Sequence, residues 1–307
     1  MKPAFSVVIF TTVAGAAQGL VVTLALAALA GLPLSPGFLG ASLIVAEVML
    51  LIGLGASFGH LGRPERAWRA AMMWRTSWLS REVIVLPAFI AVVALWWWTL
   101  RLGHAVAWLP LLAVLLAALL WYCTAMIYAC LRFIQEWAQP LTPVNFTLIG
   151  LCSGLVLASA LAAFAGEQAL LSVTGPAALV LTLAAGVTRL LSLRRNAALV
   201  PRSTLQSATG IRAPKLVQKS MGMSAGAFNT REFFHGVGRS ALRQVKWAFL
   251  LFGFALPALL LLWAIAAHST LGFALALVAQ APGLVAERWF FFAQARHPQN
   301  LYYQVVS

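Results

Sequence analysis

His60 and Glu82 are the pair in this chain best suited to chemistry. The imidazole closes one long apolar stretch and the carboxylate opens the next, so the two stand on neighbouring helices at one membrane surface. Facing a common cavity, they would hydrogen-bond the carbonyl oxygens of a quinone ring and exchange the two protons that accompany two-electron redox. The residues alone leave a second reading equally open. In it His60 caps a helix end and Glu82 pairs with a nearby arginine at headgroup level.

Seven acidic residues are present, all of them glutamate. Glu47 lies near the middle of its apolar stretch, where a charge is costly and implies either a buried partner, such as Gln18, or a proton-relay role. Glu287, near the end of the last apolar stretch, is expected at the interface, paired with Arg288 or Arg296. A b-type haem needs two histidines facing each other at matched depth. His104 and His268 flank one side while His60, His235 and His297 lie toward the other, so no haem is expected. Cys123, Cys130 and Cys152 lack the spacing of an iron–sulfur or zinc site and read as small buried residues, so no metal is expected on this chain.

The elements that position these groups follow from composition. Of 307 residues, 62% are hydrophobic and 9% charged, with a mean hydropathy of +0.90. Soluble domains carry about 25% charged residues. Lipid is therefore the solvent for most of this chain, and its apolar runs are long enough for helices and lack strand alternation. The expected fold is all-α, a polytopic integral membrane bundle of eight transmembrane helices in a single domain. The spans fall at 5–30, 38–61, 82–101, 106–132, 144–166, 170–193, 246–267 and 270–292, separated by glycine and proline breakers.

Eight spans return the C-terminus to the side of the N-terminus. That side then holds 20 of the 21 lysines and arginines, with Arg101 alone on the other. By the positive-inside rule the basic side is cytoplasmic, which predicts a bacterial inner-membrane protein with both termini in the cytoplasm. Trp96, Trp97 and Trp98, near the opposite surface, read as an interfacial belt or as a helix contact. Residues 194–245 form a basic cytoplasmic loop, too long for a connector and too aromatic for a disordered linker. It suits an acidic partner or lipid headgroups. No nucleic-acid-binding module is present, so nucleic acid is not an expected partner.

The run "SFGHLGRPERAWRA" (Ser57–Ala70), followed by "SREV" (Ser80–Val83), resembles the DmsC-type membrane anchors of dimethyl sulfoxide reductase. The basic segment before the seventh span and the ending "ERWFFFAQARHPQNLYYQ" look more like the branch that anchors cytoplasmic sulfite dehydrogenase, the SoeC type. The resemblance implies a haem-free subunit that is not an enzyme by itself. It would hold an iron–sulfur subunit and a molybdopterin catalytic subunit against the membrane and exchange electrons with ubiquinone or menaquinone. It further implies His60, Arg66 and Glu82 as quinone-binding residues, with His60 and Glu82 handling protons. Arg63, Arg69, Arg75, Arg231, Glu232 and His235 are assigned to partner docking. Electrons are expected to run from sulfite to quinone; the alternatives are a related reductase anchor that oxidises quinol, and a membrane transporter. A transporter would gather polar groups at the midplane, where this sequence offers Glu47 and few others.

Overall fold

The computed structural model describes residues 1–59, 61–104, 106–217, 219 and 233–302. Eight of its helices are long and apolar enough to cross a membrane: α1 (Phe5–Leu29), α2 (Pro36–Phe58), α3 (Trp78–Arg101), α4 (Trp108–Ala129), α5 (Leu141–Ala165), α6 (Gln168–Ala197), α7 (Arg239–Ala266) and α8 (Thr270–Ala293). Among the described residues there are no strands. Four of the ends carry clear local signals. Ser35, Ser77 and Ser269 accept hydrogen bonds from the backbone N–H three residues on, at 3.2–3.3 Å, and so start α2, α3 and α8. Gly166 ends α5 in the left-handed conformation, at φ 75°.

Helices α1 and α5 are the most enclosed of the eight and form the centre of the bundle. They can approach so closely because their contact is made of glycine. A Cβ added to Gly154 would overlap the backbone of Gly19 and Leu20. Around this axis, α1 packs on α2 and α4, and α3 on α2 and α4, while α5 packs on α6 and α8. Helix α7 contains one π-helical turn at Leu251–Ala255 and packs on α6 and α8. Gly283 of α8 abuts the backbone of Phe252 and Gly253 in that turn.

The described residues of the connectors 59–77, 130–140 and 198–238 alternate with those at the opposite end, placing them with Met1 and residues 294–302 at one end of the bundle. The Met1 ammonium there donates to the Ala295 carbonyl at 2.8 Å. This is the basic end. At the other end, the side chain of Ser35 donates to Glu167, tying the start of α2 to the α5–α6 turn.

Candidate functional site

Helix α3 starts four residues before the point at which hydropathy first rises, because Ser77 caps it. Glu82 therefore does not open its helix, as expected from the sequence, but sits one turn into it, buried within the bundle at 6% exposed. Its carboxylate accepts a hydrogen bond from the hydroxyl of Thr124 on α4. Beside it, Trp78 packs edge-on against Tyr122, centroids 5.3 Å apart. The adjacent cation is occupied elsewhere. Arg81 donates to the carbonyls of Trp74 and Arg75, both at 2.9 Å, and lies 4.1 Å over the Trp78 ring. It fastens the connector to the start of α3 and leaves Glu82 with a neutral partner.

Thr124 also lines a small interior cavity of ≈ 20 Å³ between α1, α4, α5 and α8. That is room for about one water. Gln18, Trp121, Ser153 and Arg288 line the same space. Trp121 Nε1 and Gln18 Oε1 are buried there without a protein hydrogen-bond partner, as a water site requires.

Arg288, on the α8 side of that lining, belongs to a second buried carboxylate site. Glu287 of α8 lies 2.6 Å from Arg189 Nε on α6 and 3.5 Å from an Arg288 terminal nitrogen, all three side chains at most 3% exposed. The guanidinium of Arg288 also covers the Phe146 ring at 3.9 Å. The expected pairing of Glu287 with Arg288 is present, but the carboxylate is enclosed by the bundle and its shorter contact is to Arg189. Arg189 is the partner that the sequence reading does not name, although both residues fall within apolar stretches, at similar distance from the basic end. An arginine and a glutamate at matched depth in two spans was the signal that would have found them.

A family model for the DMSO reductase anchor subunit (DmsC) matches residues 1–213. The chain is also 49% identical to the C subunit of the Allochromatium vinosum sulfite dehydrogenase, an alignment covering the whole of both chains. It belongs to the DmsC family.

In this DmsC-family chain the other sequence-derived candidates are distributed as follows. His60, Arg231 and Glu232 lie outside the described residues. Arg66 is exposed in a 3₁₀ segment, Pro64–Met73, with Glu65 3.9 Å away, and is not joined to Glu82. Arg63, Arg69 and Arg75 are exposed on the same connector, interleaved with exposed Trp68, Met72, Met73 and Trp74. His235 is half-buried against Trp289, and its Nδ1 accepts from the Val237 N–H at 3.0 Å. His297 stacks on Phe233 at 3.9 Å. Burial lowers the pKa of both histidines below the ordinary value, and the nearby Met1 ammonium lowers it further. Among the described residues, no three His, Cys, Asp or Glu side chains gather as metal ligands would.

The tryptophan trio divides between its two readings. Trp96 is core, Trp97 is half-buried and Trp98 is 56% exposed, because consecutive helical residues point about 100° apart. Glu47 has no bond to Gln18. It faces the outside of the bundle, in a cleft between α2 and α3.

Proposed function

We propose that this chain is the quinone-reactive anchor of a molybdopterin and iron–sulfur oxidoreductase, with its basic end in the bacterial cytoplasm. Glu82 is the observation that carries the reading: a carboxylate one turn below the basic end, held by a hydroxyl rather than by a cation. Such a group is free to take up and release a proton. The connector that leads into its helix also carries His60 and Arg66. Quinone reduction consumes two electrons and two protons, and a carboxyl and an imidazole at the ring's two oxygens are the groups to deliver the protons. A water in the cavity that Thr124 lines would supply a proton on the far side of the hydroxyl that binds Glu82.

The electrons come from partner subunits. Full-length likeness to a sulfite dehydrogenase component supports sulfite as their source. Oxidation of sulfite and water to sulfate releases two electrons and two protons, which matches the demand of one quinone. In this reading the molybdopterin subunit performs that step in the cytoplasm. Through the iron–sulfur subunit, the electrons reach ubiquinone or menaquinone at the His60–Arg66–Glu82 site. Arg63, Arg69 and Arg75, with the 198–238 connector that remains of the expected 194–245 loop and with its Arg231, Glu232 and His235, receive the partner. The concentration of 20 of 21 basic side chains at this end supports its cytoplasmic placement.

The test is to replace His60 or Glu82 in the assembled complex. Sulfite oxidation with a soluble artificial acceptor should persist, while quinone reduction falls by about 10²–10⁴, the usual contribution of a positioned proton donor. Wild-type quinone reduction in both variants would remove the site.

A further inference from the structure

Glu47 occupies the centre of α2, eleven residues from Pro36 and eleven from Phe58. At 1.5 Å per residue that is about 16 Å from either end of the helix. A helix that crosses a hydrocarbon core of about 30 Å end to end would carry this position near the midplane. Its side chain lines a cleft of ≈ 310 Å³ between α2 and α3, walled by Leu43, Ile44, Val48, Ala94 and Trp97. Ile44 and Val48 are about half exposed on the outer surface, so the cleft opens toward the acyl chains. Within it, Glu47 Oε2 is shielded from solvent and has no hydrogen-bond partner. A polar oxygen desolvated in this way costs about 1–3 kcal/mol unless something bonds to it.

What can reach it is restricted by depth. A phospholipid headgroup stays at the surface, and among the described residues no side chain answers this oxygen. The partner must be a small molecule whose hydrogen-bonding groups travel within the hydrocarbon. A quinone or quinol ring does so, and its flat face matches the indole of Trp97 on the opposite wall. We propose that the Glu47–Trp97 cleft is a second quinone-binding site, at mid-membrane and separate from Glu82. The carboxyl hydrogen-bonds a ring oxygen and Trp97 covers the ring. Glu82 and Glu47 stand at different depths, so this site stores or feeds quinone rather than protonating it. The inference rests on the quinone reading of this chain for its ligand class.

Photolabelling of the purified complex in proteoliposomes tests it. The probe is an azido-ubiquinone with a short isoprenoid tail, and labelled peptides are identified by mass spectrometry. Wild-type protein should be labelled within 43–48 or 94–97, and excess decylubiquinone, but not dodecanol, should suppress that label. Glu47→Leu should reduce it at least tenfold. Ala94→Phe, which fills the cleft from its lipid-exposed side and leaves Glu47 in place, should do the same. Glu82→Gln should leave it unchanged. Labelling confined to the neighbourhood of Glu82, suppression by dodecanol, or a cross-link from Glu47 to another polypeptide would each overturn the second site. Quinone reduction measured in Glu82→Gln separates the two ideas. Its loss, with the cleft unlabelled, retains the functional reading and removes only this inference.

Discussion

Glu82 and Glu287 are both buried carboxylates lying near the basic end, yet their surroundings are opposite. Glu287 sits between two guanidiniums, one of them at 2.6 Å, in a site that carries an excess of one positive charge. Glu82 has a threonine hydroxyl, while the adjacent arginine is bound to backbone carbonyls. Clamped by two guanidiniums, this carboxylate orders α6 against α8. The one bonded to a hydroxyl has no such anchor, and in the proposed reading it exchanges a proton with quinone. The same residue type thus serves as a structural pin in one half of the bundle and as the proposed proton-handling group in the other.

Removing each charge sharpens the contrast. Glu287→Gln leaves two buried guanidiniums uncompensated and should cost about 3–5 kcal/mol, read as an earlier unfolding midpoint in SDS or loss of monodisperse protein. Thr124→Val strips the Glu82 carboxyl of its donor at nearly constant volume. It should cost about 1–3 kcal/mol and slow quinone reduction without abolishing it. Glu82→Gln keeps a side chain that can bond the same hydroxyl, so its unfolding midpoint should stay near that of wild type even as turnover falls. A Glu82→Gln variant as unstable as Glu287→Gln would erase the distinction.

The smallest effect concerns the tail. His235 and His297 have folded pKa values below the ordinary 6.5, so the folded arrangement binds fewer protons than the free segments do. Packing of 233–237 on 289–300 should therefore weaken as pH falls through 6.5 and be constant above it. Hydrogen exchange of residues 294–302 at pH 5 and pH 7.5 measures this; greater protection at pH 5 would reverse the sign.

The eight spans were legible because lipid demands long apolar runs, and each expected span coincides with a helix to within a few residues apart from the start of the seventh. The depth of Glu82 was not legible. Hydropathy marks where apolar residues begin, whereas Ser77 decides where the helix begins, and those points differ by a full turn. The start of α7 was misplaced for a similar reason: its first residues, from Arg239, are polar but already helical. The Arg189–Glu287 pair lies 98 positions apart, and its partners meet only through the packing of α6, α7 and α8. Glu47, by contrast, was singled out by position alone, although the packing leaves it facing α3 and lipid rather than Gln18.

The glycine seam between α1 and α5 imposes an order on assembly. Gly19 is made about 130 residues before the Gly150–Gly154 segment that covers it, which at ribosomal rates of about 5–20 residues per second is roughly 7–26 s. During that interval α1 must hold its groove, with Gln18 at its edge, against α2 and α4 alone. The half-built bundle is thus open along one flank until α5 inserts, and a nascent chain stalled before residue 150 would present that flank to any other helix in the bilayer.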